Sequence, residues 1–278
     1  MTSGSPAAPF AGRVVIVTGA SSGVGAALAR AFAAEGAHVA LFARSEGKLD
    51  AVADDCRRAG GEALVVPGDV TAPADGAELV RRTIERFGRL DVVACAAGLG
   101  MRARFDELAD TEVLRRLMEV NYLGVAHVFL PALPHVASSA GSLVAISSLQ
   151  GVVGVPERSG YVASKHAVEG LCATLRTELR GTGVSVTTVL ANWVRGTNLR
   201  AKALGPDGAP RGTATPPRDA TAVDLDDLRR AVLRAVRDRK RRVFVPGWTR
   251  GLAWLAAIAP AVADGLVAGR AAREGKAS

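Results

Sequence analysis

Tyr161 and Lys165 stand four residues apart in Tyr161-Val162-Ala163-Ser164-Lys165, and Ser148 lies thirteen residues upstream of the tyrosine. On a helix that spacing puts a phenol and an ammonium one turn apart on one face. A phenol is a poor acid near neutral pH, since its ordinary pKa is about 10. A cation held beside it favours the phenolate. A phenol tuned in this way can pass a proton to or from a substrate oxygen, and a serine from an earlier strand end could face the same oxygen. The spacing alone is equally that of an ordinary surface helix. Its meaning depends on the elements that position it.

Those elements alternate along the chain. Arg13 to Thr18 is a β-branched apolar run, the mark of a buried parallel strand. It leads into Gly19-Ala20-Ser21-Ser22-Gly23-Val24-Gly25 and then an Ala/Leu-rich helix to about Glu35. Strand, glycine turn and helix make the setting of a phosphate-binding loop. The glycines let backbone approach a pyrophosphate, and the helix N-terminus offers N–H groups and partial positive charge. The spacing is G-x-x-x-G-x-G, not the commoner G-x-G-x-x-G. A second strand, His38 to Ala43, is followed by Arg44. At this place an acid binds the ribose 2′-OH of NAD and an arginine accommodates the 2′-phosphate of NADP. No Asp or Glu lies between His38 and Ser45, so Arg44 points to NADP(H) over NAD(H).

A helix is predicted over 46–59, then a strand over 62–67 ending in Gly68-Asp69-Val70. Thr71 or Asp75 could cap the next helix, to about Phe87. A strand over 90–95 leads to Ala96-Ala97-Gly98, and a long helical stretch over 106–130 carries Asn121. A strand over 141–147 delivers Ser148, the helix of Tyr161 and Lys165 runs to about Arg180, and a strand follows over 184–190. A helix capped by Asp224 and a strand over 241–245 complete the series. Such alternation specifies a doubly wound parallel sheet with right-handed crossovers, whose ligands bind beyond the carboxyl ends of the strands.

Bulk properties agree. A chain of 278 residues, 49% hydrophobic but only 4% aromatic, suits helices packed on a Val-rich sheet. Three widely spaced cysteines without a CxxC read as reduced thiols in a cytoplasmic setting. The four histidines fall at no ligand spacing, so no metal site is indicated. Of the net charge of +8, residues 201–278 contribute 15 basic against 8 acidic side chains. A nucleic-acid role for this basic end is the weakest reading. Residues 1–12 read as a disordered lead-in without the features of a signal peptide.

Taken together and in this order, the motifs resemble the short-chain dehydrogenase/reductase family over about residues 12–200. Thr18-Gly19-Ala20-Ser21-Ser22-Gly23-Val24-Gly25 looks like its TGxxxGxG cofactor loop, and Asp69-Val70 like the acidic pair that holds the adenine. Asn121, Ser148, Tyr161 and Lys165 fall where its catalytic tetrad falls. Ile146-Ser147-Ser148 with Gly151, and the run Tyr161 to Gly170, are close matches to its patterns. The resemblance implies a single Rossmann-type doubly wound parallel sheet of about seven strands with helices on both faces. It implies an NAD(P)-dependent oxidoreductase that moves a hydride between the nicotinamide, NADPH favoured, and a carbonyl or secondary alcohol. Tyr161 would be the general acid or base, and Lys165 would depress its pKa and hold the nicotinamide ribose. Ser148 would bind the substrate oxygen, and Asn121 would hold a water linking Lys165 to solvent. Ser147, the competing serine, faces away by period-two alternation.

Further cofactor contacts would come from the glycine loop (Gly19, Ser21, Ser22, Gly23, Val24, Gly25), Arg44, Asp69, Val70, Ala97, Gly98, Val194 and Thr197. Gln150, Trp193 and Leu199 are candidates for the substrate pocket, and a homodimer or homotetramer is expected. A non-catalytic NADP-binding sensor or interaction protein on the same fold is the alternative, and the intact tetrad argues against it.

Two departures stand out. The family's Asn-Asn-Ala-Gly is Cys95-Ala96-Ala97-Gly98 here, a change that bears on stability more than on chemistry. Its Pro-Gly after the sixth strand is Asn192-Trp193. Asparagine enters the left-handed region more readily than most residues, so Asn192 is the expected site of a glycine-like backbone.

The core domain is expected over 13–247, with 198–222 as a substrate lid. Arg195, Arg200 and Lys202 there would suit an acidic substrate, although such charges are more often solvated. Residues 248–278 form an apolar and basic extension, expected to pack on the domain or on a partner. Peripheral membrane contact beside Arg239-Lys240-Arg241-Arg242 is the lesser reading. Its longest uncharged run, Gly251 to Ala263, is short of the roughly 20 residues of a spanning helix.

Overall fold

Val14–Thr18 (β1) is buried at every position, because both faces of the strand are covered. Val15 and Val17 enter one apolar core, and Val14 and Ile16 enter another on the opposite face. The computed structural model of the chain describes residues 8–211 and 221–275. After β1 come α1 (Gly23–Ala34), β2 (His38–Ala43), α2 (Glu46–Arg58), β3 (Ala63–Pro67), α3 (Pro73–Phe87) and β4 (Val92–Cys95). The second half holds α4 (Glu112–Met118), α5 (Gly124–Ser138), β5 (Ser142–Ser148), α6 (Ser159–Glu178), β6 (Ser185–Ala191), α7 (Leu225–Arg237) and β7 (Arg242–Val245). Helices α8 (Thr249–Ile258) and α9 (Pro260–Gly275) follow.

The strands form one parallel sheet in the order β3-β2-β1-β4-β5-β6-β7. Helices α1, α2 and α7 pack on one face through Leu28, Phe32, Leu49 and Val232. Helices α3, α5 and α6 pack on the other through Leu79, Val128, Val136 and Val168. The order reverses between β1 and β4, and the crevice beyond those strand ends is where such sheets take ligands. A third, smaller core of Met101, Val113, Leu117, Tyr161 and Leu204 lies beside it. Cys56, Cys95 and Cys172 are unpaired and buried.

Several expectations change. The helical stretch expected over 106–130 is a short 3-10 turn, then α4, a π-helical turn over Glu119–Leu123, and α5. Helix α5 continues past Leu130 despite Pro131 and Pro134, because Val128, Ala132 and Val136 bury its inner face against the sheet. A run of this length and composition could cross a membrane, but here that inner face belongs to the core. Within the expected lead-in, residues 8–12 are ordered: Phe10 is buried, edge-on to Phe32 at 5.0 Å between ring centres. The other residues of the lead-in lie outside the described ones.

Thr71 and Asp75 do not cap α3, whose N-cap is Ala72. Asp75 accepts from the backbone of Asp69 instead. Asp224 is the N-cap of α7 by position, but its side chain pairs with Arg195 at 3.0 Å and not with the helix. Helices α8 and α9 pack on each other, and α8 leans on β7. They leave Trp248, Trp254, Ile258, Val262 and Leu266 exposed.

Candidate active site

The glycine loop is a cradle that side chains would fill. Gly19 and Gly23 have φ of +66° and +54°, where Cβ is strained. A Cβ on Gly25 would stand 2.3 Å from the Gly19 carbonyl oxygen. Ser22, the N-cap of α1, makes no side-chain cap bond, so the first N–H groups of the helix remain for a ligand. Ser21 and Val24 are half-buried beside it. Thr18 ties the crevice together: its Oγ1 accepts from the backbone N–H groups of Ala96 and Ala97 at 3.1 and 3.2 Å. The alanines that replace two asparagines are therefore held by their backbone.

Arg44 emerges from the end of β2 with its side chain 82% exposed, and Nη1 lies 3.8 Å from the Asp69 carboxylate. Asp69 also accepts from the N–H and hydroxyl of Thr71. Val70 is buried, and its carbonyl accepts from Nδ1 of His127. These features fit a nicotinamide dinucleotide: a backbone cradle at a helix N-terminus, an acid beyond the third strand, and an exposed arginine beyond the second.

Asn121, Ser148, Tyr161 and Lys165 come together at the carboxyl end of β5. All four are buried. Ser148 Oγ accepts from the Gln150 N–H, donates to the Ala191 carbonyl at 3.3 Å, and faces the Tyr161 phenol closely enough to favour its ionised form. Ser147 points the other way, its Oγ buried and without a hydrogen-bond partner among the described residues. Lys165 Nζ donates to the Ile146 carbonyl at 2.9 Å and lies 5.8 Å from the centre of the Tyr161 ring. Burial lowers Lys165 to about 8, against the opposing pull of Glu169 and Cys95. Burial raises the Tyr161 phenol above its usual range. The groups that work against this rise are the Ser148 hydroxyl and the Arg158 charge. The resemblance assigns that task to Lys165, whose ammonium is instead turned to Ile146.

Asn121 sits in the π-helical turn. Its Nδ2 donates to the Leu99 carbonyl and the Ser164 hydroxyl, and its Oδ1 accepts from the Leu99 N–H. A Cβ on Gly98 would lie 3.5 Å from Oδ1 and 4.0 Å from Lys165 Nζ, so Gly98 separates the two.

After β6 the chain departs from expectation. Asn192 does not take a positive φ; that conformation falls on Gly196, at +72°. Gly196 supplies the turn, which leaves Asn192 to bond Val245 and Thr221. Val194 bridges to Val223. Thr197 comes within 3.5 Å of where a Cβ on Gly23 would stand, so this loop closes on the glycine cradle.

The described part of the expected lid is stitched to the loop after β4. Met101 pairs with Leu204, Leu204 N–H bonds the Gly100 carbonyl, and Leu199 lies against Gly100. Residues 212–220 lie outside the described ones. Gln150 is buried behind Ser148. Trp193 is half-buried, with the guanidinium carbons of Arg158 and Arg200 at 4.8 and 4.9 Å from its ring centre. Arg158 is absent from the sequence-based site. A lone arginine before a helix carries no signal; only its place three residues ahead of Tyr161 could have marked it.

The sheet reversal, the glycine cradle and the Ser148–Tyr161–Lys165 cluster define a protein of the Rossmann class with a nucleotide crevice. The family model described as short chain dehydrogenase matches residues 13–205. The chain belongs to that family of oxidoreductases. It is 35% identical over 250 residues to "11-beta-hydroxysteroid dehydrogenase-like 4A" of Arabidopsis thaliana, covering 90% of this chain and 81% of the relative. It is 38% identical over 199 residues to "11-beta-hydroxysteroid dehydrogenase A" of Arachis hypogaea, covering 71% and 57%. Among solved structures it is similar to an alcohol dehydrogenase of Thermococcus sibiricus complexed with 5-hydroxy-NADP. The TM-score is 0.73 at 29% identity, over 84% of this chain and 95% of that one. A short chain dehydrogenase/reductase of Burkholderia phymatum in complex with NAD gives a TM-score of 0.78 at 26% identity, over 90% and 94%.

Proposed function

We propose that the chain is an NADP(H)-preferring carbonyl reductase or alcohol dehydrogenase, acting on a ketone, an aldehyde or a secondary alcohol. The observation that carries this reading is the meeting of Ser148 with Tyr161 beside buried Lys165, at a strand end next to the glycine cradle. When bound, the nicotinamide supplies or takes the hydride. The chain supplies the proton and the position. Tyr161 donates its proton to the substrate oxygen in reduction and takes it back in oxidation. Its raised pKa keeps it protonated at neutral pH, the form that reduction needs.

Ser148 Oγ turns its one hydrogen from the Ala191 carbonyl to the same oxygen and holds it near the phenol. Lys165 holds the nicotinamide ribose, and the charge of Arg158 steadies the phenolate that follows proton transfer. Both amide hydrogens of Asn121 are engaged. A relay water toward Lys165 therefore meets its Oδ1 or a carbonyl of the π-helical turn. Cofactor choice rests on Arg44, whose exposed guanidinium is free to turn from Asp69 to a ribose 2′-phosphate. The two solved neighbours carry one cofactor of each type and do not decide it. A homo-oligomer is part of the same reading.

The experiment is Tyr161→Phe, assayed with NADPH on a panel of ketones and with NADP on the matching alcohols. The variant is expected to bind cofactor as the wild type does and to lose nearly all turnover. Unchanged turnover would remove the assignment of Tyr161.

A further inference from the structure

Arg158 stands at the N-cap of α6, one turn ahead of Tyr161. It is only 7% exposed, and Nη1 donates to the Met101 carbonyl. Trp193 bridges it to Arg200, so the two guanidiniums lie within two stacking distances of each other. Among the described residues neither meets a carboxylate. Glu157 goes to Arg102, and Asp224 goes to Arg195. Arg200 Nε is buried without a hydrogen-bond partner among the described residues.

This is an unusual arrangement for a protein to keep. A buried charge is ordinarily paired, and leaving one unpaired is costly. Each guanidinium brings five donors in a planar fork, of which only a few are used here. The neighbouring Arg200 makes the site more positive, and burial together with that charge pushes Arg158 down to about 10, still cationic at neutral pH. A bound anion would satisfy the open donors and offset the repulsion. The planar fork matches a carboxylate bidentately, and the indole face provides an apolar wall for the carbon chain behind it.

We propose that Arg158 and Arg200 form the anion site of the substrate, which is an oxo acid or the corresponding hydroxy acid. Its carboxylate seats on the two guanidiniums beside Trp193 while its carbonyl or hydroxyl oxygen meets Ser148 and Tyr161. The single helical turn between Arg158 and Tyr161 sets the carboxylate a few bonds from the reacting carbon. Of the three cations that the sequence offers for an acidic substrate, Arg195 is taken by Asp224 and Lys202 is exposed. Arg200 keeps the role, with Arg158 as its partner. The inference rests on the oxidoreductase reading given above.

The test compares levulinate with methyl levulinate, a keto acid and its neutral ester, using NADPH and the wild-type, Arg200→Met and Arg200→Lys proteins. The wild type is expected to favour the acid at least ten-fold in kcat/KM, mainly through KM. Arg200→Met is expected to lower that acid-to-ester ratio at least ten-fold, and Arg200→Lys to restore part of it. An ester turned over as well as the acid by the wild type overturns the proposal, as does a ratio that Arg200→Met leaves in place. Calorimetric binding of pentanoate, an unreactive acid, to the NADP-loaded protein separates the two readings. Pentanoate binding that Arg200→Met weakens, with no ketone reduced, keeps the anion site and sinks the oxidoreductase reading. Reduction of ketones with no pentanoate binding does the reverse.

Discussion

Replacing Lys165 by methionine is expected to make the folded chain more stable while ending its turnover. Lys165 is 4% exposed, and burial brings its ammonium from the ordinary 10.5 to about 8. Each pKa unit is worth about 1.4 kcal/mol, so holding this charge in the fold costs about 3 kcal/mol at neutral pH. Methionine keeps most of the volume and removes the charge. It also removes the bond from Nζ to the Ile146 carbonyl, a loss of about 1 kcal/mol. The variant is then about 2 kcal/mol more stable at pH 7.

The dependence on pH follows from the direction of the shift. Between about pH 8 and 10.5 the unfolded chain holds a proton on this lysine that the folded chain has shed. Wild-type stability therefore rises with pH through that window. The advantage of the variant is full below about pH 8 and fades above it. Urea unfolding of both proteins between about pH 7 and 10, without added nucleotide, reads it directly. A variant no more stable than the wild type at pH 7, or an advantage that does not shrink as pH rises, would refute the reasoning. It would show that Glu169, one turn further along α6, already neutralises the ammonium.

Two further substitutions separate cofactor binding from packing. Arg44→Asp is expected to lower the NADPH-to-NADH ratio of kcat/KM by at least ten-fold, because it replaces a phosphate partner with a 2′-hydroxyl partner; an unchanged ratio would show that Arg44 is only solvated. Gly25→Ala forces a methyl against the Gly19 carbonyl and is expected to cost about 1–3 kcal/mol of stability, and nucleotide affinity with it. Its control is Gly170→Ala, on an open face of α6, which is expected to stabilise by about 0.5–1 kcal/mol; thermal unfolding of both variants beside the wild type measures the two effects.

What the sequence revealed was local or periodic. The β-branched runs placed the strands, and the glycine loop of residues 19–25 placed the crevice. The Tyr161–Lys165 spacing placed the phenol and ammonium on one face, and alternation in β5 separated Ser148 from Ser147. What it concealed was decided by segments far apart in the chain. Arg158 is buried because the loop carrying Met101 and the loop carrying Trp193 close over it. Pro131 marks the end of a helix by local rules, yet α5 continues because its inner face is buried. The left-handed residue after β6 is Gly196 and not Asn192, whose backbone and side chain are held by Val245 and Thr221. Asp224 has the look of a capping residue, and Arg195 on another loop claims its carboxylate.

The three buried cysteines give the chain a property unrelated to its chemistry. Cys56 lies on α2, Cys95 at the end of β4, and Cys172 on α6. Burial pushes the Cys56 thiol up to about 11, the Cys172 thiol up to about 12, and the Cys95 thiol higher still. The thiolate is the form that reacts with an alkylating reagent, so modification has to wait for each region to open. The rate at each cysteine then reports the free energy of local opening there. The chain thus carries three native reporters: one on the outer layer of the nucleotide half, one at the reversal of the sheet, and one on the helix that bears Tyr161.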